Sequence, residues 1–327
     1  MNILVTGGAG YIGSVTVDAL RERGDFVVVV DNLATGHRDA VDHDVPFFPT
    51  DLRQTAEIEQ ILRAHRIDAV IHFAASSLVG ESVSNPAKYF DNNVGGTMSL
   101  LTAMREAGVA KIVFSSTAAT YGEPQQIPIP EAHPTAPANP YGMTKLMMEQ
   151  IMHTYAAAYG LKFAALRYFN ACGATPSRGE HHDPESHLIP LVLFVALGKR
   201  PSISVFGNDY DTPDGTCIRD YVHVSDLARA HLSALGYLET ASQPLVCNLG
   251  NGTGYSVKQV IDMCREVTEF AIPIVHAPRR AGDPSRLVAD CTLAREILGW
   301  KTERSGLREI IIDAWSWHAA HPNGYGR

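Results

Sequence analysis

A doubly wound parallel α/β sheet, followed by a smaller mixed C-terminal domain, is the fold that this sequence predicts. Short apolar runs rich in Val, Ile and Phe alternate with longer amphipathic segments, which is the rhythm of strands and helices in a parallel sheet. The apolar runs do not alternate with polar residues, as expected for strands that helices cover on both faces. A glycine-rich turn, TGGAGYIG, directly follows the first run.

The predicted sheet occupies residues 1–170. Its strands, separated by candidate helices, are NILVT, FVVVVD, VPFFPTD, AVIHFA, KIVFSS and KFAALRYFN. After Asn170 the pattern becomes irregular in GATPSRGEHHDPESH, and a further helix is predicted from Leu188. We therefore predict a second, smaller domain over 171–327, which binds the substrate. A segment near 220–250, a helix and then the strand PLVCNLG, is predicted to return to the first domain.

Composition and charge exclude several classes of protein. The 327 residues are 45% hydrophobic and 19% charged, which is an ordinary globular composition. The formal net charge of −8 gives no general attraction for nucleic acid or an anionic membrane. The longest apolar stretch, LIPLVLFVALG, is too short to span a bilayer, and the first residues lack the features of a signal peptide. We expect a soluble, cytoplasmic protein with no nucleic-acid or membrane partner.

Cysteine and histidine usage gives no positive sign of a metal. The five cysteines are scattered and never form CxxC, so neither a disulfide framework nor a zinc site is indicated. The histidines of EHHDPESH could suggest a metal ligand set. However, the flanking acids and the loop composition favour a solvated turn, and we predict no metal site.

The glycine turn predicts a dinucleotide-binding fold of the Rossmann type. Gly7 permits the tight turn after the first strand, Gly10 lets a pyrophosphate approach the backbone, and Gly13 lets the next helix pack closely. The spacing GxxGxxG replaces the commoner GxGxxG but fits the same physics. The first residues of the helix, Tyr11 and Ile12, then face the phosphates.

Asp31, at the end of the second strand, predicts which dinucleotide binds. Its carboxylate can accept hydrogen bonds from both hydroxyls of the adenosine ribose, and it would repel a 2′-phosphate. Arg38 lies too far along the chain to be an adjacent anchor for that phosphate. NAD is therefore predicted over NADP.

Tyr141 and Lys145, in NPYGMTKLMMEQ, predict redox chemistry on the dinucleotide. Residues four apart lie above one another on a helix face, so the Lys145 ammonium can sit near the Tyr141 phenol. A nearby cation, helped by the charge of an oxidised nicotinamide, would lower the pKa of the phenol towards a range useful for proton abstraction. The pair alone is weak support, because short motifs recur by chance.

A wider set of motifs carries a family resemblance. TGGAGYIG, DNNVGGT, FSSTAATYGE, NPYGMTK, LRYFN, GTCIRDYVHVSDLA and APRRAGD resemble the extended short-chain dehydrogenase/reductase family, specifically its nucleotide-sugar 4-epimerases. The similarity runs from Met1 to the terminal HPNGYG. It implies an isomerase that inverts C4 of a UDP-sugar, with UDP-glucose and UDP-galactose as the leading pair and with NAD retained through turnover.

The resemblance also implies roles for individual residues. Tyr141 would remove the proton of the sugar 4-hydroxyl while C4 delivers hydride to the nicotinamide, and the resulting 4-keto sugar would rotate and take the hydride back. Lys145 would hold the ribose and lower the pKa of Tyr141, and Thr117 would hydrogen-bond O4 of the sugar. The implied cofactor-binding residues, besides the glycine turn, Tyr141 and Lys145, are Asp31, Asn32, Asp51, Leu52, Phe73, Ala74, Ala75, Asn92 and Tyr168. The implied substrate-binding residues, besides Thr117 and Tyr141, are Asn170, Leu188, Phe206, Arg219, Arg280, Asp283 and Leu287.

Two positions depart from the family pattern and leave the substrate open. Ser77 stands where some epimerases have a lysine that contacts the cofactor, so one nicotinamide contact is in doubt. Leu287 stands at the position that governs sugar size, and its bulk lies between that of Tyr and that of Ser. UDP-N-acetylglucosamine, or UDP-xylose and UDP-arabinose, therefore remain alternative substrates.

Two other functions remain possible on the same fold. A nucleotide-sugar 4,6-dehydratase is expected to carry an acid pair directly after the catalytic Thr. Here Ala118 and Ala119 follow Thr117, which opposes that function. A non-catalytic NAD-binding regulator is opposed by the intact set of Thr117, Tyr141 and Lys145.

A homodimer is predicted from two helices. The helix after Lys145 and the one in NNVGGTMSLLTAMREAG are apolar on more than one face, which is more than packing on a sheet requires. The resemblance implies the same assembly.

Overall fold

A computed structural model describes residues 1–280 and 283–326 of the chain. Its strands are β1 Asn2–Thr6, β2 Phe26–Val30, β3 Phe47–Phe48, β4 Ala69–His72, β5 Lys111–Thr117, β6 Lys162–Tyr168, β7 Asn170–Cys172, β8 Ile203–Phe206, β9 Ile218–Arg219, β10 Tyr221–His223, β11 Leu245–Leu249, β12 Tyr255–Ser256, β13 Ile274–Ala277 and β14 Arg286–Leu287. Its helices are α1 Tyr11–Glu22, α2 Thr55–Ala64, α3 Val79–Ser84, α4 Pro86–Tyr89, α5 Gly96–Ala107, α6 Pro140–Tyr159, α7 Leu188–Ala196, α8 Val224–Thr240, α9 Val257–Thr268, α10 Thr292–Leu298 and α11 Leu307–Ala320. Ala281 and Gly282, within the motif APRRAGD, lie outside the described residues.

Seven parallel strands form the main sheet, in the order β11-β6-β5-β4-β1-β2-β3. The six strands predicted from the sequence all lie in it, so the prediction of a doubly wound sheet is confirmed. The chain builds outward from β1 in one direction through β2 and β3, and in the other through β4, β5 and β6. The strand order therefore reverses beside β1, and in such sheets ligands bind in the crevice outside the carboxyl ends of the strands at that point.

The uninterrupted apolar strands are explained by burial on both faces of the sheet. In β1, Ile3 and Val5 belong to a core that includes Leu20 of α1 and Leu235 of α8. Leu4 points to the opposite core, which includes residues of α2, α5 and α6. All three β1 side chains are fully buried.

The last strand of the main sheet comes from late in the chain. β11 pairs with β6 in parallel register, with Leu249 opposite Tyr168, and α8 before it packs on α1. The segment near 220–250 thus contributes β11 to the main sheet and α8 to the helices that cover it. The boundaries of the two domains, 1–170 and 171–327, remain a prediction.

Other C-terminal elements surround a separate core. α7, α9 and α11 pack together around buried residues that include Val192, Leu193, Ile261 and Ile310. Three small sheets accompany them: β10-β7, β12-β9-β14 and β13-β8. Because β12 runs antiparallel to β9 while β14 runs parallel to it, this smaller region is mixed, as predicted. In the described part of the chain, no helix has the length and apolarity needed to cross a membrane.

Candidate active site

A cavity of about 1420 Å³ opens at the carboxyl ends of the main-sheet strands and extends to the smaller region. Its lining includes, from the predicted cofactor set, Gly7, Gly10, Tyr11, Ile12, Gly13, Asp31, Asn32, Asp51, Leu52, Phe73, Ala74, Ala75, Asn92, Tyr141, Lys145 and Tyr168. From the predicted catalytic and substrate sets it includes Thr117, Asn170, Leu188, Phe206, Arg219, Arg280 and Asp283. One cavity therefore gathers residues that are spread over most of the chain. Leu287 is the member of the predicted sets that does not line it.

The glycine turn has no room for side chains. A Cβ on Gly7, whose φ is +72°, would lie 2.6 Å from the backbone nitrogen of Ala74. A Cβ on Gly13 would lie 2.2 Å from the carbonyl oxygen of Gly7, so Gly13 is needed for packing against the turn itself. Gly10 is the N-cap of α1 and supplies no side-chain cap, which leaves the first N–H groups of the helix facing the cavity.

Asp31 is fixed in place before any ligand binds. Its Oδ2 accepts a hydrogen bond from the Ala9 amide at 3.0 Å, and its Oδ1 accepts one from the Leu33 amide at 2.8 Å. Burial raises the pKa of this carboxyl, and the two amides oppose that shift. The guanidinium of Arg38 donates instead to the carbonyl of Val41 and lies over the ring of Phe47. A ribose hydroxyl pair fits this arrangement better than a phosphate does.

Tyr141 and Lys145 are held at the start of α6. Asn139 caps the helix by accepting a hydrogen bond from the Gly142 amide at 2.9 Å, and Pro140 occupies the first helical position. Lys145 is 2% exposed; its Nζ donates to the carbonyl oxygen of Ser115 at 2.7 Å. The cap and this bond set the direction in which both side chains leave the helix.

Burial shifts the pKa values of both Tyr141 and Lys145. Burial raises the pKa of Tyr141 to about 12, and only a hydrogen bond with Thr117 acts in the opposite direction. Burial lowers the pKa of Lys145 to about 7, against the attraction of Glu149. In the protein without a dinucleotide, desolvation dominates the pKa of both groups, and the lowering of the Tyr141 pKa by Lys145 together with an oxidised nicotinamide remains a prediction.

Among the arginines that the smaller region supplies to the cavity are Arg219 and Arg280, the two predicted to bind substrate. Arg219 donates from Nη2 to Oδ1 of Asp283 at 2.7 Å, and its side chain is 12% exposed. Arg280 lies 4.1 Å over the ring centroid of Phe206. Planar guanidinium groups bind a diphosphate through paired hydrogen bonds, so these two arginines on the cavity wall suit a diphosphate ligand.

A family model described as the NAD dependent epimerase/dehydratase family matches residues 3–250, which is most of the chain. The chain belongs to the NAD-dependent epimerase/dehydratase family. The UDP-glucose 4-epimerase of Halalkalibacterium halodurans is 56% identical to it, over 99% of this chain and 98% of that protein. The resemblance inferred from the motifs is confirmed.

Solved structures of this epimerase/dehydratase family agree with the fold along the whole chain. A UDP-glucose 4-epimerase crystal structure superposes with a TM-score of 0.98 at 52% identity, covering 100% of both chains. The UDP-glucose 4-epimerase from Bifidobacterium longum, in complex with NAD+ and UDP, superposes with a TM-score of 0.94 at 39% identity, covering 99% of this chain and 100% of that one.

A buried charge network next to Thr117 and Lys145 was missed by the sequence analysis. Arg167 of β6 donates to Glu149 of α6 through Nε at 3.0 Å and through Nη2 at 2.6 Å, and the two side chains are 7% and 3% exposed. Ser116, next to Thr117, also donates to Glu149. The sequence did contain one sign of this network, because Glu149 follows Lys145 by four residues on the same helix face.

Leu287 lies beside the cavity, packed against another group of side chains. It contacts a small core of Ala118, Tyr121 and Ile129, together with Phe169, which does line the cavity. In β14 it pairs with Arg219 of β9. Its control of sugar size remains a prediction, and any such effect would have to act through neighbouring residues.

The segment EHHDPESH is a solvated turn only in part: Asp183, Pro184, Ser186 and His187 are exposed, whereas the side chains of its two glutamates are buried, so the prediction fails for those glutamates. The side chains of Glu180 and Glu185 are 6% and 4% exposed. Glu180, His182 and His187 line the cavity. The local sequence could not show the contacts that reach this segment from far along the chain, which include the Tyr11 ring against His182 and the Tyr325 amide donating to His181.

Proposed function

We propose that this protein is an NAD-dependent isomerase that inverts C4 of a UDP-sugar, with UDP-glucose and UDP-galactose as its main pair. The observation that carries the proposal is one cavity that joins a dinucleotide turn to two guanidinium groups, with Thr117, Tyr141 and Lys145 on its wall. The names of close relatives, which are UDP-glucose 4-epimerases, support the same activity.

The residues on the cofactor side fit NAD. The open N-terminus of α1 at Gly10 accepts a pyrophosphate, and Asp31 accepts hydrogen bonds from ribose hydroxyls. When bound, NAD supplies a hydride acceptor that is regenerated within each turnover. Ser77 lines the cavity at the position of the family's lysine and can offer a hydroxyl in place of an ammonium.

We assign the proton transfer to Tyr141. The hydrogen bond with Thr117 favours the phenolate against the effect of burial, and a substrate hydroxyl at this point would be held by both oxygens. Lys145 is fixed by Ser115 and orients ribose rather than acting as a base. Arg219 and Arg280 bind the diphosphate, which tethers the sugar while its ring turns.

The test is an assay of the purified protein on UDP-galactose without added dinucleotide. We expect interconversion with UDP-glucose, and NAD in the supernatant after denaturation. Formation of a 4-keto-6-deoxy sugar would favour a 4,6-dehydratase instead. Inactivity on a panel of UDP-hexoses, UDP-N-acetylhexosamines and UDP-pentoses would contradict the proposal, and NADP as the only dinucleotide would contradict the role of Asp31.

The preference for sugar size should be graded. Leu287→Ser removes bulk from the small core against which Phe169 also packs, and changes of one or two methylenes in a pocket discriminate by about 1 to 3 kcal/mol. We expect kcat/KM for UDP-N-acetylglucosamine, relative to UDP-glucose, to rise by about 10-fold. Ile297→Ser, at an exposed site on α10, is the control. An unchanged ratio would show that Leu287 does not shape the sugar wall.

We also propose a homodimer built on α5 and α6. Met98, Met147, Ile151 and Tyr155 line an apolar groove between these helices, and Met98 is 38% exposed. Sedimentation at micromolar concentration should show a dimer, and Met98→Glu should shift it to monomer because a charge would enter the contact. Ile312→Glu, a comparably exposed site on α11, should leave the dimer intact. A wild-type monomer would refute the assembly.

The cytoplasmic location is part of the same proposal. All five cysteines are free and buried, as is usual in a reducing compartment.

A further inference from the structure

Four side chains of the loop between β7 and α7 converge on one point. They are Glu180, His182, Glu185 and His187, here called the loop cluster, and one ligand atom from each lies within 4.8 Å of all the others. The set contains two imidazole nitrogens and two carboxylates. Nothing in the proposed epimerisation uses them.

The distances within the loop cluster suit a four-coordinate ion. His187 Nδ1 lies 2.8 Å from Oε1 of Glu180 and 2.9 Å from Oε1 of Glu185. His182 Nδ1 lies 3.3 Å from Oε1 of Glu180 and 3.5 Å from Oε2 of Glu185. Ligands at zinc bond lengths in a tetrahedron are about 3.3 Å apart, so the observed separations bracket the required value.

Unsatisfied polar atoms provide a second, independent observation. Oε2 of Glu185, on a side chain that is 4% exposed, has no hydrogen-bond partner among the described residues, and neither does Nδ1 of His182. These two atoms face one another inside the cluster. Buried carboxylate oxygens are normally hydrogen-bonded or bound to a cation, and the 3.5 Å ion pair of these two atoms makes no hydrogen bond, so an ion placed between them would complete their coordination.

Protonated histidines, without a metal ion, explain the loop cluster less completely. The carboxylates, acting against burial, raise the pKa of His182 to about 9 and that of His187 to about 11. Nδ1 of His187 lies within hydrogen-bond distance of both carboxylates, whereas Nδ1 of His182 lies 3.3 and 3.5 Å from its nearest carboxylate oxygens, a poor geometry for a hydrogen bond. The same negative field attracts a metal cation, which would displace the protons on binding.

We propose that the loop cluster binds one divalent transition ion of the Zn²⁺ class, through Nδ1 of His182 and His187 and the carboxylates of Glu180 and Glu185. Two imidazole ligands select against Mg²⁺ and Ca²⁺, which prefer oxygen. Four protein ligands leave no open position, as in structural rather than catalytic zinc sites.

The position of the site indicates what the ion does. The Tyr11 hydroxyl at the start of α1 donates to the carbonyl of Gly173 at 2.6 Å, and the Tyr11 ring meets the His182 ring edge-on. His187 directly precedes Leu188, the first residue of α7. The ion therefore fixes the loop between the first helix of the dinucleotide fold and the first helix of the smaller region, and so fixes one wall of the cavity.

The test measures metal binding by the full-length protein, without substrate. Protein stripped with a chelator and dialysed is mixed with ZnCl₂, desalted and analysed by mass spectrometry for metals. We expect roughly one Zn²⁺ per chain in the wild type and at least tenfold less in His182→Gln/His187→Gln. His276→Gln, which changes an exposed histidine on β13, should bind like the wild type. Equal zinc content in the wild type and the double variant would overturn the proposal.

A second measurement needs no variant and so does not depend on how the double variant folds. Zn²⁺ should raise the Tm of the stripped wild type while MgCl₂ does not, and Co²⁺ should give the intense visible bands of a four-coordinate site. Absence of both the Tm rise and these bands would also overturn the proposal. Because no UDP-sugar is involved, either result leaves the epimerase proposal standing.

Discussion

Replacing Tyr141 with phenylalanine should lower epimerase turnover by about 10²-fold or more, while the fold and the bound dinucleotide are retained. The substitution removes only the hydroxyl that interacts with Thr117, and the ring stays on the cavity wall. Burial raises the pKa of this phenol to about 12 and the hydrogen bond with Thr117 opposes that shift, so a positive charge nearby would further favour the phenolate. Rates of UDP-galactose conversion, with circular dichroism and dinucleotide content measured on the same samples, test the assignment.

Two further variants make the result specific. Tyr159→Phe removes a hydroxyl from an exposed position at the end of the same helix and should keep full activity. Lys145→Met should lose both turnover and dinucleotide retention, since Lys145 lines the cavity beside the ribose position inferred from the family. Near-normal epimerisation by a folded Tyr141→Phe protein would refute the assignment of the base.

The sequence predicted the main sheet and the nucleotide turn because both depend on local patterns. Each strand of the sheet is a short apolar run, and burial of Leu4 and Val5 on opposite faces explains why such runs lack polar alternation. The roles of Gly7 and Gly13 follow from backbone contacts within a few residues or one strand away. The structure adds the short distances between these glycines and the neighbouring backbone atoms.

What the sequence could not predict depends on burial by distant segments. The pKa values of Tyr141 and Lys145 are set by desolvation, which no local motif encodes. The loop EHHDPESH reads as polar surface, yet Tyr325 from the far end of the chain donates its backbone N–H to His181 within it. The placement of Leu287 beside the cavity likewise depends on the pairing of β14 with β9.

The Arg167–Glu149 ion pair should be the most costly single interaction to break. Arg167→Met leaves the Glu149 carboxylate buried, with only the Ser116 hydroxyl as a donor, and breaking one side of a buried pair costs about 3 to 5 kcal/mol. We expect urea unfolding to shift to a clearly lower midpoint. Arg63→Met, which breaks an exposed pair with Glu59 on α2, should change the free energy of unfolding by less than about 1 kcal/mol.

A double variant separates the burial of charge from the loss of packing. Glu149→Met/Arg167→Met removes both charges, and replacing a buried ion pair by apolar residues of similar volume is often neutral, so it should recover most of the stability lost by Arg167→Met. If the double variant is as unstable as the sum of the single ones, packing rather than charge is responsible.

The activity of the double variant should nevertheless stay low. Glu149 opposes the lowering of the Lys145 pKa by burial, so its loss should lower that pKa further and reduce the charged fraction of Lys145. Stability would then return without full activity, which would mark Glu149 as a residue that supports the charge of Lys145.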